Sequence, residues 1–192
     1  MIRIGILGSI GSGKSYVAKL FGYPVFNADD EVAKLYKKNR KCYKKLKKIL
    51  PDYIKSFPIK KKNLTKAIIN NNKNIKKIIK IIHPEVLRNL LQFIKKNKKK
   101  KFIVLDIPLL IENKINKKND ILIFVDAERK DINKKLKKKY RNNLKIVKKL
   151  KKFQLDIERK KNKSDFIIKN NFKRNSVKKS VKKILNKILL NA

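Results

Sequence analysis

Ile2-Arg3-Ile4-Gly5-Ile6-Leu7, followed directly by Gly8-Ser9-Ile10-Gly11-Ser12-Gly13-Lys14-Ser15, is the stretch on which the fold turns. The first six residues are short, largely β-branched and bounded by a glycine, as a buried strand would be. The next eight fit the pattern G-x-x-x-x-G-K-S. Glycines let the backbone turn tightly and aim several N–H groups inward. Those groups, with the N-terminus of a following helix, bind phosphate oxygens. In this pattern Lys14 reaches the β- and γ-phosphates of ATP, and Ser15 offers its hydroxyl to Mg²⁺. Gly11, Ser12 and Gly13 supply backbone to the same cradle. The competing reading is a glycine turn with an incidental lysine. A strand before the loop and a helix after it, from about Lys14 to Phe21, weigh against that reading.

Outward from the loop, Val25 and Phe26 suggest a second short strand ending at Asn27-Ala28-Asp29. Val32, Leu35, Tyr36, Tyr43, Leu46, Ile49 and Leu50 fall on one face at helical spacing. Residues 51–58 break that pattern. Leu64 to Ile82 reads as helical with an interruption at Asn70-Asn71-Asn72, and Pro84 suits the first turn of a separate helix. Phe102-Ile103-Val104-Leu105-Asp106 and Ile121-Leu122-Ile123-Phe124-Val125 are further strands. Ile132, Leu136 and Tyr140 mark a helix, and Val147, Leu150 and Ile157 another. Phe166-Ile167-Ile168 is a last strand, before a final helix carrying Val177, Val181, Ile184, Leu185 and Ile188. Strands alternating with helices predict an α/β fold with a mainly parallel sheet. The strands are continuously apolar, as expected when both faces are covered. Ligands of such sheets bind beyond the carboxyl ends of the strands. The loop, Asp29, Asp106 and Asp126 are all expected at those ends.

The 192 residues suffice for one domain with a sizeable core. Lys and Arg number 56 against 14 Asp and Glu, for a net charge of +42. The excess is almost all lysine. Lys, Asn and Ile share A/T-rich codons, so biased composition explains the charge without a partner. The other reading is a polyanionic partner, nucleic acid or an anionic membrane. The lysine runs are scattered and not interleaved with aromatic stacking platforms, which speaks against a specific nucleic-acid partner. The single cysteine, Cys42, excludes a disulfide framework or a cysteine metal cluster within one chain and fits a reducing cytoplasm. No apolar run approaches the ~18 residues of a membrane span, so no membrane partner is expected. A monomer or weak homo-oligomer is expected.

The chain resembles the dephospho-coenzyme A kinase family. The resemblance is carried by residues 6–15, by Asn27-Ala28-Asp29, by His83-Pro84, and by Asp106-Ile107-Pro108-Leu109-Leu110-Ile111-Glu112. Gln154 and Ser164-Asp165-Phe166-Ile167-Ile168-Lys169-Asn170 extend it. It implies transfer of the γ-phosphate of ATP to the ribose 3′-hydroxyl of dephospho-coenzyme A. It implies a P-loop nucleoside-triphosphate hydrolase-like fold with a five-stranded parallel sheet. The implied organisation is one kinase domain with a core of about 1–30, 101–128 and 164–192, a helical substrate-binding region of about 31–97, and a lid of about 130–163.

By the same resemblance Asp29 would orient the acceptor hydroxyl and take its proton; otherwise it is a helix cap. Asp106, ending a strand, would join Ser15 on the metal side, or else be a turn residue. Arg141 would be a lid arginine neutralising transition-state charge, or one more solvated cation. His83 reads as structural, and Glu112 as substrate-side or structural. Three positions depart from the family: Asn27 for the first Asp of Asp-Ala-Asp, Tyr16 for Thr, and Ser9 for Gly. The backbone N–H of Tyr16 still meets phosphate if its ring points elsewhere. The path from loop to Asp29 is also a few residues short. Two other functions stay open at this point: a nucleoside-monophosphate kinase-like enzyme and a nucleic-acid-binding ATPase.

Overall fold

The structure, a computed structural model, describes residues 1–140 and 144–190. In chain order its elements are β1 (Ile2–Gly8), α1 (Lys14–Leu20), β2 (Val25–Asn27), α2 (Ala28–Lys38), α3 (Arg40–Ile49), α4 (Lys61–Asn70) and α5 (Lys73–Lys96). They continue with β3 (Phe102–Asp106), β4 (Ile121–Asp126), α6 (Arg129–Lys139), α7 (Leu144–Lys151), α8 (Ile157–Asn162), β5 (Phe166–Lys169) and α9 (Arg174–Leu190). They fall into two compact units: Met1–Asn27 with the chain from Asn97 onward, and Ala28–Lys96.

In the first unit the strands form one sheet in the order β2-β3-β1-β4-β5, with every pair parallel. Ile4 stands opposite Val104 on one side and Ile121 on the other, and Asn27 opposite Asp106. A parallel sheet is stable when helices cover it. Ile4, Ile6, Val104, Ile123, Val125 and Ile168 pack with Val17, Ala18 and Phe21 of α1 and with Val177, Val181, Ile184 and Ile188 of α9. Burying each such side chain contributes about 1.5–3 kcal/mol before the entropy of ordering it is set against it. After β1 the chain moves to β2 on one side, and after β4 to β5 on the other. The strand order therefore reverses beside β1, and the carboxyl end of that strand is where such folds hold ligands.

One expectation needs correcting in this sheet. β5 is an edge strand, and of its four residues only Ile168 is buried; Ile167 is 49% exposed. An apolar run alone does not distinguish a covered strand from an edge one.

In the helical unit, Ile75, Ile78, Ile82, Val86 and Leu90 make the buried stripe of α5. Leu35, Cys42, Leu46, Leu50, Ile54, Ile59, Leu64 and Ala67 are among the other buried residues of that unit. Two expectations change here. The single apolar face from residue 32 to 50 belongs to two helices. Asn39 leaves helical geometry (φ −93°, ψ 96°) and its side chain accepts from the backbone N–H of Cys42 at 2.8 Å, starting α3 afresh. Pro84 does not begin a helix; it lies inside α5. An interior proline removes one backbone bond and costs about 3 kcal/mol. Here it sits on the exposed side, while the buried stripe continues unbroken from Ile82 to Val86. Packing of that stripe outweighs the lost bond.

The expected helix through Val147, Leu150 and Ile157 is also two elements. Asp156 accepts from Glu158 N–H at 3.0 Å and caps α8 separately, leaving Ile157 46% exposed.

Candidate active site

The loop between β1 and α1 follows from its glycines. Gly11 and Gly13 both have φ of +90°, a region costly for side-chain-bearing residues. Gly13 caps α1, and its carbonyl accepts from Tyr16 and Val17 N–H at 3.0 and 3.1 Å. A Cβ at Gly13 would collide with the Asn170 amide. A Cβ at Gly11 would lie 3.0 Å from Leu136 and 3.2 Å from Ile132, so α6 packs directly on the loop. Ser12 is buried, and its Oγ has no hydrogen-bond partner among the described residues. Its contribution to a cradle is therefore its backbone. The side chain of Tyr16 is 40% exposed. Lys14 is largely buried, and its ammonium donates to the carbonyl oxygens of Gly8 (3.1 Å) and Ser9 (2.8 Å). The loop thus holds a cation inside its own curve, where a phosphate oxygen would be strongly attracted.

At the adjoining strand ends, β2 and β3 finish in register at Asn27 and Asp106. Asn27 Nδ2 donates to Asp106 Oδ2 at 2.6 Å and reaches Ser15 Oγ at 3.4 Å. One amide therefore links the two residues expected on the metal side. Asp106 is 3% exposed. A hydroxyl and a single carboxylate are hard oxygen donors and few in number, which suits Mg²⁺, an ion that keeps waters and takes phosphate oxygens. Among the described residues no group of three or more His, Cys, Asp or Glu forms a protein-only metal cage.

Behind the loop, Asn170 Nδ2 donates to the Ser12 carbonyl at 2.8 Å. Glu112 Oε1 accepts from Leu155 N–H at 3.0 Å and pairs with the buried Lys160 ammonium at 2.7 Å. Gln154 Nε2 donates to the Pro108 carbonyl at 3.3 Å. Glu112 thus ties the segment after β3 to α8 and the residues before it, while its Oε2 is buried with no hydrogen-bond partner among the described residues. Asp126, at the end of β4, faces Lys161 at 3.4 Å. Neither Lys160 nor the Asn170 contact is readable from local sequence. The only signal was that Asn170 closes a motif of the resembled family.

In the helical unit Asp29 is exposed, in the first turn of α2 beside Asp30 and Glu31. Three carboxylates there complement the helix dipole. Burial, then the charges of Cys42 and Asp29, push the Tyr36 phenol far above its ordinary range, so it stays neutral. Burial likewise raises the Cys42 thiol, which remains protonated and inert. An open groove of about 420 Å³ is lined by Glu31, Lys34, Lys38, Arg40 and Asn89. Glu31 Oε2 accepts from Asn89 Nδ2 there at 2.9 Å. His83 Nε2 is buried with no partner among the described residues. Lys14, Ser15 and Asp106 are thus brought together in the first unit, and Asp29 belongs to the second. Arg141 lies outside the described residues.

The family model described as dephospho-CoA kinase matches residues 2–176. A dephospho-CoA kinase of Wolbachia pipientis is 36% identical over 174 residues, covering 86% of this chain and 87% of the relative. A solved dephospho-CoA kinase from Campylobacter jejuni aligns over 97% of this chain and 96% of its own, with TM-score 0.65 and 24% identity. A solved structure from Thermus thermophilus aligns over 97% of both chains with TM-score 0.77, also at 24% identity. At those identities the structures speak for the fold, a P-loop kinase sheet flanked by helices. The family model goes further, since it runs through the phosphate loop and past β5, and the Wolbachia relative adds 36% identity over most of the chain: the chain belongs to the dephospho-CoA kinase family.

Proposed function

We propose that this kinase carries out the last step of coenzyme A synthesis, moving the γ-phosphoryl group of ATP to the ribose 3′-hydroxyl of dephospho-coenzyme A. The family match supports the reaction. The observation that carries the site is the Asn27 amide linking Ser15 to Asp106 at the strand ends, next to the loop whose Gly8 and Ser9 carbonyls hold the Lys14 ammonium. Phosphoryl transfer asks a protein for position and charge rather than covalent chemistry. Backbone N–H groups of Gly11, Ser12, Gly13, Lys14, Ser15 and Tyr16 cradle the phosphates in this reading. Lys14 exchanges a loop carbonyl for an oxygen of the β- or γ-phosphate. Ser15 and Asp106 hold Mg²⁺, which when bound neutralises charge on the phosphates. Asn27 fixes the Asp106 carboxylate and leaves the pair with one negative charge rather than two.

Asp29, two residues beyond Asn27 in the chain, orients the acceptor hydroxyl. As the oxygen–γ-phosphorus bond forms and the bond to the leaving ADP oxygen breaks, the hydroxyl proton passes to this carboxylate. Its exposure in a helix first turn supports the role, since a base must be reachable by substrate. Arg141 supplies transition-state charge from the lid, which comprises about 130–163. Among the described residues no helix is long and apolar enough to cross a membrane. We place the enzyme in the cytoplasm, with small-molecule substrates and no specific nucleic-acid partner.

A coupled assay tests this reading with ATP, Mg²⁺ and a panel of acceptors. ADP release with dephospho-coenzyme A, and little with nucleoside monophosphates, is expected. A folded protein that binds ATP but leaves dephospho-coenzyme A unphosphorylated would overturn it.

A further inference from the structure

Asn170 follows β5 directly, and only 2% of its surface is exposed. Its backbone N–H and both polar atoms of its side chain have partners. Its backbone N–H donates to the Asp126 carbonyl at 2.6 Å, at the end of β4. Its Oδ1 accepts from Phe172 N–H at 2.9 Å, in a turn where Phe172 takes a left-handed φ of 60°. Its Nδ2 donates to the Ser12 carbonyl at 2.8 Å. The side chain is therefore held at one end by its own turn and aims its single remaining function at the loop, 158 residues away in sequence.

The Ser12 carbonyl shares its peptide plane with the N–H of Gly13. In a trans peptide these two groups point in opposite directions. Fixing the carbonyl towards Asn170 fixes the Gly13 N–H on the other side of the chain. A glycine peptide is otherwise the easiest in the loop to flip, because neither hand of φ is penalised. Flipped, it would present a carbonyl oxygen where an anion has to lie. Gly13 itself sits against the Asn170 amide closely enough that no Cβ fits between them.

We propose that Asn170 is a positioning residue for the phosphate loop, acting through the Ser12 carbonyl to keep the Gly13 N–H turned towards the phosphates of ATP. This rests on reading Gly8–Ser15 as the phosphate site. The role is distinct from touching substrate: Asn170 works from behind the loop.

Asn170→Asp separates the two ends of the side chain. The carboxylate still accepts from Phe172 N–H, but it sets an oxygen against the Ser12 carbonyl in place of a donor. Asn170→Ala removes the bond without adding charge. Binding of ATP and of inorganic triphosphate is measured by calorimetry on both variants, with KM for each substrate, kcat and the thermal midpoint. Both variants should bind triphosphate and ATP ~10–100-fold more weakly, the range expected for one lost hydrogen bond to a charged ligand with a misdirected dipole. KM for dephospho-coenzyme A should stay within about twofold, because a loop dipole acts on the phosphate donor. A merely structural role would lower the midpoint and the folded fraction yet leave the affinity of the folded fraction unchanged.

Triphosphate affinity within about twofold of the parent in either folded variant overturns the proposal, and so does failure of both variants to fold. Lys14→Ala distinguishes the two layers. If it binds triphosphate like the parent, the phosphate reading itself fails. If it loses binding while the Asn170 variants keep it, only the role of Asn170 falls.

Discussion

Lys14 keeps its ammonium against two loop carbonyls, at 3.1 and 2.8 Å, and this arrangement makes it the residue with most to lose on substitution. Truncation removes a charge-assisted donor and leaves those oxygens less satisfied. Lys14→Ala should cut kcat/KM for ATP by ~10²-fold or more, as loss of a preorganised transition-state donor does. The folding midpoint should shift much less; a parallel collapse of both would show the lysine to be chiefly structural. Asn27 makes a sharper case. Asn27→Asp restores the family's Asp-Ala-Asp and sets two carboxylates at the 2.6 Å contact now made by an amide. Like charges that close resist joint ionisation. In EDTA the variant should melt about 2–4 °C below the parent, roughly 1 kcal/mol at this chain length. Mg²⁺ should restore most of that difference and help the parent less. Equal midpoints in EDTA would mean that the Asn27–Asp106 contact does not govern the charge of this site.

At the scale of elements, Pro84 and Asn39 show where local signals lead and where packing overrules them. Pro84→Ala on the exposed side of α5 should raise stability by about 1–3 kcal/mol in urea unfolding, because it returns a backbone donor inside a helix. No gain would mean that the helix has already adapted its geometry to the ring. Asn39→Ala should cost about 1 kcal/mol, the usual worth of a capping side chain.

The same contrast explains what the sequence reveals. β1, the glycine loop and α1 are legible because each is specified by a handful of contiguous residues. The strand ends at Asn27 and Asp106 are legible for the same reason, since an apolar run stops at a polar residue. The break at Asn39 is obscured by an apolar face that happens to stay in phase across two helices. The continuity of α5 through Pro84 is decided by burial on both sides of it, which propensity does not register. The bond from Asn170 to Ser12 and the buried Glu112–Lys160 pair exist only once distant segments have met. Such partners leave a residue type in the sequence but no indication of what it touches.

At the scale of the whole molecule the net charge of +42 acts in two opposing ways. Its repulsion weakens the folded state, while its field draws in anionic substrates. Both effects depend on distance, and salt screens both, with a Debye length of about 10 Å at 0.1 M. ATP and dephospho-coenzyme A are polyanions, so they feel the field whether the lysines were selected for it or follow from codon composition. Raising NaCl from ~0.05 to ~0.3 M should therefore raise the melting temperature and lower kcat/KM for both substrates. The loss should lie in KM, with kcat nearly constant, because screening alters capture and leaves the short contacts at Lys14 and Asp106 in place. Measuring both quantities at fixed free Mg²⁺, against a sucrose control of matched viscosity, isolates the screening. A kcat/KM that stays flat while the melting temperature rises would show that the field is spread too evenly over the lysine-rich surface to favour the site. The charge would then be a cost to folding with no return in substrate capture.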